Sequence, residues 1–139
     1  MLNLMSFHHI GIAVTSIDNT AAEYVRGGFK KSTITYDPFQ DVNICWISRQ
    51  GLPLIELVEP ASEASPVSKI LKQGGVTPYH ICYLVDNIDS TVNELRKKKY
   101  ILVSNPEKAI AIQNSRVCFL FNKNVGLIEL VEAPAAITE

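Results

Sequence analysis

Residues Leu54-Ile55-Glu56-Leu57-Val58-Glu59, LIELVE, recur letter for letter as Leu127-Ile128-Glu129-Leu130-Val131-Glu132. An apolar strand with a carboxylate in its middle is costly to bury unless something pairs with the charge. Writing it twice suggests that one thing pairs with both. A second match lies upstream of each copy. HHIGIAVTSIDNT (8–20) falls over YHICYLVDNIDST (79–91) at an offset of 71, with His9/His80, Ile10/Ile81, Val14/Val85, Ile17/Ile88, Asp18/Asp89 and Thr20/Thr91 identical. LIELVEP (54–60) falls over LIELVEA (127–133) at an offset of 73. The offsets agree within a short insertion, so the chain is two copies of one unit.

Each unit reads alike. A β-rich run opens it, 9–14 and 80–85. A helix follows, about 17–26 with Ile17, Ala21, Tyr24 and Val25 on one face, then about 88–99 with Ile88, Val92 and Leu95. Gly27 and Gly28 stop the first helix, and Lys97 to Lys99 suit the C-terminal end of the second. Three strand-like runs complete each unit: 31–36, 42–49 and 53–59, then 100–104, 115–121 and 126–132. The unit is βαβββ. The chain is expected to be a single domain over 1–139, with a first module at 5–60 and a second at 76–135. Between them, 61–75 reads as a linker with a short helix: Ser65 as N-cap, Pro66 at the first helical position, Gly74 and Gly75 at the end.

Composition narrows the function classes. Of 139 residues, 47% are hydrophobic, enough for a real core. A net charge of −1 speaks against a nucleic-acid binder. No apolar run is long enough to span a membrane, and the start, MLNLMSFHHIGIAV, lacks a leader's basic region and cleavage site. Cys45, Cys82 and Cys118 are scattered in apolar runs and read as buried thiols of a reducing, cytoplasmic compartment.

Each copy offers one His at the start of its first strand and one Glu inside its last. The separations are 47 residues (9 to 56) and 49 residues (80 to 129). Glu56 and Glu129 alternate with flanking Ile and Leu, so they face away from them. If the copies pair about a pseudo-twofold, His9, Glu56, His80 and Glu129 converge. Two imidazoles and two carboxylates suit a divalent cation of the Zn, Ni, Co, Mn or Fe type. Glu59 and Glu132 also repeat, on the opposite face, and read as solvent-facing. His8 breaks the symmetry, since its counterpart is Tyr79, and is a weaker ligand candidate than the repeated four; Cys82, opposite Gly11 in the alignment, reads as site wall. Trp46 and Phe119 read as core or cleft wall. Arg96 and Lys97 to Lys99 read as a solvated helix end, and Gln113, Asn114 and Arg116 as a polar loop.

On these motifs the chain resembles the vicinal oxygen chelate superfamily, which includes glyoxalase I, methylmalonyl-CoA epimerases, bleomycin-binding proteins, fosfomycin resistance proteins and extradiol dioxygenases. HHIGIAV, LIELVEP, SPVSKILKQGG, YHICYLVDNIDSTVNELRKKK and GLIELVE stand in the order seen in the epimerases. The resemblance implies an α+β fold in which the βαβββ modules form a U-shaped, incompletely closed mixed sheet around a metal. It puts the ligands on His9, Glu56, His80 and Glu129, and implies a homodimer. Many epimerases have Gln where this chain has Glu56, so the His/Glu/His/Glu set is more similar to bacterial glyoxalase I. Some carry a further catalytic Glu in the strand matching 40–47, where this chain has Ile44 between Asn43 and Cys45. The segment KAIAIQNSRVCFLF lacks the glycine-rich turn and His-Pro pair common in epimerases.

The expected chemistry is proton transfer next to a carbonyl, with a metal-stabilised enediolate. Glu129 is the expected principal base, and Glu56 a ligand and second base on the opposite side. The substrate is a thioester or hemithioacetal, making the chain an isomerase of the epimerase type or a lyase of the glyoxalase type. A drug-sequestering module, a ferrous dioxygenase and a transferase are the rivals on the same fold. The dioxygenases and transferases use two His and one Glu, which would leave Glu56 surplus.

Overall fold

The computed structural model describes residues 5–139; residues 1–4, the first part of the segment read for a leader, lie outside the described residues. Strand β1 (Ser6–Ala13) leads into helix α1 (Ile17–Arg26), then short strands β2 (Lys30–Lys31) and β3 (Thr35–Asp37), then β4 (Val42–Ser48) and β5 (Ile55–Pro60). Helix α2 (Pro66–Gly74) follows. The second copy runs β6 (Thr77–Val85), α3 (Ile88–Lys97), β7 (Ile101–Leu102), β8 (Glu107–Ala109), β9 (Ser115–Asn122) and β10 (Gly126–Glu132).

The strands form one open mixed sheet of ten, ordered β2-β4-β5-β1-β6-β10-β9-β7, with β3 on β4 and β8 on β9. The order is a palindrome in module terms. In each copy the first strand lies parallel to the last, and the last antiparallel to the strand before it. The two first strands, β1 and β6, join the copies antiparallel at the centre.

The expected unit had three strands after its helix; the structure has four, because the expected run 31–36 is broken into β2 and β3, and in the second copy β8 follows beyond the expected 100–104 that holds β7. The break has the same cause in both copies. Ser32 donates its backbone N–H to the Trp46 carbonyl (2.9 Å), and its hydroxyl accepts from the Trp46 N–H (2.8 Å). Ser104, its counterpart, accepts from the Phe119 N–H (3.1 Å) while Val103 donates to the Phe119 carbonyl (2.8 Å). A hydroxyl standing in for a backbone partner shifts the register and makes a bulge.

Helices α1 and α3 cover one face of the sheet. Val14, Ile17, Ala21, Cys45, Ile47 and Leu57 pack under α1; Val85, Ile88, Val92, Cys118, Leu120 and Leu130, their counterparts, pack under α3. Ser16 and Asn87 cap these helices by accepting from the N–H groups of Asn19 (3.1 Å) and Ser90 (2.9 Å). Glu59 and Glu132 belong to the same covered face rather than to solvent. Each is only half-exposed and accepts the first N–H of its module's helix: Ile17 N–H to Glu59 (2.8 Å), Ile88 N–H to Glu132 (2.9 Å). A carboxylate at a helix N-terminus meets both an orphan donor and the positive end of the dipole. The second half of LIELVE is thus a helix clamp.

A third core fills the other face: Val42, Ile44, Trp46, Val58, Val67, Cys82, Val117 and Val131, with Leu71 of α2 against it. Helix α2 keeps its expected ends, with Ser65 accepting from the Val67 N–H (3.3 Å) and Gly75 at φ +68°. Helix α3 ends two residues earlier than expected, because Lys99 turns into the left-handed region (φ +69°) where its counterpart is Gly28 (φ +90°). The C-terminal segment then crosses back over both copies. Thr138 N–H donates to the Ala111 carbonyl (2.9 Å) and Thr33 N–H to the Glu139 carbonyl (3.0 Å).

Candidate active site

The open sheet brings its two central strands and the two repeated carboxylates to one point. His9 pairs with Cys82 across the β1–β6 junction, and His80 with Gly11. Glu56 and Glu129 lie one strand further out on either side, opposite Gly11 and Cys82. All four side chains expected from the sequence meet here, and all are buried. One donor atom from each lies within 4.8 Å of the others. The two Nε2 atoms are 3.2 Å apart. Glu129 Oε1 is 3.1 Å from both, and Glu56 Oε1 is 3.4 Å from His9 Nε2 and 3.5 Å from His80 Nε2.

The four donor atoms are close enough together to share one ion. Glu129 Oε1, despite its two close nitrogens, has no hydrogen-bond partner, and neither has His80 Nδ1. A buried carboxylate oxygen without an aligned donor is costly. Two imidazole nitrogens and two carboxylate oxygens are the donor set of a borderline divalent cation, so these residues fit such an ion.

The charges offset one another. Burial alone would push the Glu129 carboxyl up and the His9 imidazole down. The close imidazoles of His80 and His9 outweigh burial and hold Glu129 well below the usual carboxylate range. Glu56 and Glu129 likewise outweigh burial and lift His9 to about 10. Cys82, on the site floor, moves the other way. Burial, then the Glu129 and Glu56 charges, push its thiol well up, so it is wall and not nucleophile. The three cysteines are free and buried, as expected.

Residues around the cluster repeat the symmetry. Trp46 stands edge-on to His9 (centroids 5.0 Å apart), and Phe119, its counterpart, edge-on to His80 (5.3 Å). Trp46 Nε1 is satisfied by the Ala111 carbonyl (3.0 Å). A cavity of about 280 Å³ is lined by Phe119 and Tyr79, the two rings that flank His80, with Phe39, Val67, Ile70 and Val103 among others. Ile44 is buried on the apolar core face of β4. Arg116 lies in β9 rather than in a loop, bonds Glu132 (3.0 Å) and Asp89 (3.0 Å), and holds the Glu132 carboxyl low. Lys97 to Lys99 are exposed at the end of α3, as expected.

Two contributors are missed by the sequence reading. Gly11 lies under the His80 ring, and a Cβ built there would come within 2.1 Å of Cε1, so only glycine admits the imidazole. Asp37 is a buried carboxyl outside the cluster, raised mainly by burial, and its oxygen accepts from the Phe39 N–H (2.9 Å) at a turn. The offset alignment flags Gly11 only as the partner of Cys82; its role needs the β1–β6 register.

Comparison with known proteins agrees with this architecture. A family model described as the Glyoxalase/Bleomycin resistance protein/Dioxygenase superfamily matches residues 8–119. The chain is 34% identical over 137 residues to the mitochondrial methylmalonyl-CoA epimerase of Homo sapiens, covering 94% of this chain and 76% of that protein. It is 29% identical over 129 residues to an ethylmalonyl-CoA/methylmalonyl-CoA epimerase of Cereibacter sphaeroides, covering 88% and 94%. Among solved structures, the methylmalonyl-CoA epimerase of Mycobacterium tuberculosis matches with a TM-score of 0.83 at 27% identity, covering 93% of this chain and 89% of that one. A methylmalonyl-CoA epimerase in complex with methylmalonyl-CoA and NH4+ matches with a TM-score of 0.82 at 26% identity, covering 98% and 99%. The chain belongs to the glyoxalase/bleomycin resistance protein/dioxygenase superfamily.

Proposed function

We propose that this chain is a divalent-metal-dependent epimerase of a malonyl-type acyl-CoA thioester, with His9, Glu56, His80 and Glu129 as the metal ligands and Glu129 as principal base. One observation carries the reading: two buried carboxylates from equivalent strands approach the same pair of imidazole nitrogens. The epimerase relatives support the substrate class.

Epimerisation removes a proton from one side of a carbon and returns one to the other. Glu129 is ionised at neutral pH and accepts it. A carboxylate held so low is a weak base, and what a divalent cation bound here supplies is positive charge at the substrate carbonyl oxygen, which lowers the acidity gap. Glu56, from the other copy, delivers a proton of its own to the opposite side of the carbon, leaving Glu129 protonated, and both carboxyls exchange protons with solvent between turnovers. With Ile44 where some epimerases carry a Glu, Glu56 is the remaining carboxylate suited to that step. The apolar cavity beside His80 takes the alkyl and thioester portion and keeps water from it.

A second reading rests on Glu56 being a carboxylate rather than an amide: a glyoxalase-type lyase acting on a hemithioacetal. The test is deuterium incorporation at C2 of methylmalonyl-CoA in D2O, by mass spectrometry, with protein loaded with Co or Zn. Metal-dependent exchange supports the epimerase. No exchange, with turnover of a methylglyoxal–glutathione hemithioacetal, overturns it in favour of the lyase.

The reading takes the chain as one domain of modules 5–60 and 76–135 joined by 61–75. It also takes it as a cytoplasmic homodimer, supported for the compartment by three free buried thiols. Among the described residues no helix is long and apolar enough to cross a membrane. Sedimentation of the purified protein tests the dimer.

A further inference from the structure

We infer that His8 is a positioning residue for the metal centre: it fixes the ring and tautomer of His9 so that Nε2 is the atom presented to the cation. The inference rests on the metal reading above. It follows from a two-step hydrogen-bond chain. His8 Nε2 lies 2.8 Å from the Ala135 carbonyl oxygen, and His8 Nδ1 lies 2.8 Å from His9 Nδ1. A carbonyl can only accept, so His8 Nε2 carries a proton and donates it. A neutral His8 then has a lone pair on Nδ1, which accepts. The proton in the second bond therefore sits on His9 Nδ1. That makes Nε2 the His9 nitrogen a cation would take, displacing any proton there, and Nε2 is the atom 3.1 to 3.4 Å from the two carboxylates. Ligating histidines typically donate their other N–H to an outer partner that sets the tautomer. Here that partner is itself a histidine, oriented by the C-terminal segment.

Ala135 is held firmly enough to serve. It is buried, and its N–H donates to the Ser115 hydroxyl (3.1 Å). Neighbouring residues of the segment are tied down too: Ala133 N–H to the Val85 carbonyl (2.9 Å), Gln113 Nε2 to the Ile137 carbonyl (3.1 Å). The other copy lacks the device. Tyr79 replaces His8 and meets His80 only with its ring edge (centroids 4.5 Å apart), and His80 Nδ1 has no hydrogen-bond partner. The asymmetry is local to position 8 and is not inherited from the repeat.

The test uses the full chain and Zn as probe. His8→Phe keeps the ring volume and removes both nitrogens. His8→Asn keeps an acceptor near the place of Nδ1. Competition against a chromophoric chelator should give about 10- to 100-fold weaker Zn binding for His8→Phe, largely restored in His8→Asn. In protein carrying 15N-labelled histidine, a slowly exchanging proton on His9 Nδ1 is expected in wild type and lost in His8→Phe. Wild-type affinity in a folded His8→Phe variant, or a His9 that carries its proton on Nε2 alone, overturns the inference and leaves the metal reading intact. A wild-type protein that binds no divalent ion overturns the metal reading, and the inference with it. If His8→Phe fails to fold, the 15N spectrum of wild type still decides.

Discussion

His9 and His80 occupy the same place in two copies of one unit, yet they are held by different means. His9 is tied through His8 to the Ala135 carbonyl and packs over a cysteine. His80 has an unpartnered Nδ1, an aromatic edge on either side from Tyr79 and Phe119, and a glycine beneath it. The first imidazole is fixed by hydrogen bonds, the second by shape. Around them the copies agree closely: Glu56 with Glu129, Trp46 with Phe119, Ser32 with Ser104, Glu59 with Glu132. Duplication conserved what aims side chains at the centre. It let the means of bracing each ligand diverge.

The carboxylates should divide most sharply. Glu129→Gln is expected to cut C2 exchange of the acyl-CoA by roughly a hundred- to ten-thousand-fold. Glu56→Gln should retain exchange on one epimer while slowing interconversion of the two by about a hundredfold. Equal losses of both in both variants would break the assignment of separate roles.

Next in size is the bracing of His80 by shape. Gly11→Ala forces a methyl into the ring and should weaken Zn binding by at least about tenfold, as for loss of an outer-shell partner. Cys82→Ala, at the equivalent place under His9, removes one sulfur and should leave affinity within a few-fold, at a stability cost of about 1 kcal/mol. Chelator competition and urea unfolding separate the two. A tolerant Gly11 would mean that His80 has room to move.

The helix clamps should differ through their partners. Glu59→Gln and Glu132→Gln each weaken a carboxylate cap and should cost about 1 kcal/mol near neutral pH. Glu132 has an added dependence, because Arg116 holds its carboxyl below the ordinary value. A group with a lowered folded pKa stabilises above its unfolded value, about 4.5, and loses that contribution as pH falls through the folded one. The gap between wild type and Glu132→Gln should therefore close as pH drops below about 4.5. A gap that widened in acid would contradict the clamp. The smallest effect is at the helix ends. Lys99→Gly should stabilise by about 0.5 kcal/mol, because its backbone already sits where Gly28 does in the other copy and glycine's greater unfolded-state entropy offsets part of the relief.

Much of this was legible in the sequence, because duplication writes the same constraint twice. LIELVE and the offset histidines fixed the strand faces, and alternation pointed Glu56 and Glu129 inward. The helix 17–26 was readable from its apolar face and the glycines that stop it, and 66–74 from its caps. What was not legible depends on contacts between distant segments. The glycine under His80 needs the antiparallel register of β1 with β6. The bond from His8 needs the C-terminal segment folded back 127 residues along the chain. Glu59 and Glu132 looked like surface because a lone strand does not say that a helix start will cover it. The split third strand turned on one serine hydroxyl in each copy.

The most direct test of the central claim is elemental analysis of the protein purified without chelator, beside His9→Ala and His80→Ala. One divalent ion per chain is expected in wild type and is lost in both variants, since one cation is held from both copies. Full occupancy in either variant, or a wild type that takes up no Zn, Co or Ni when supplied, would contradict it.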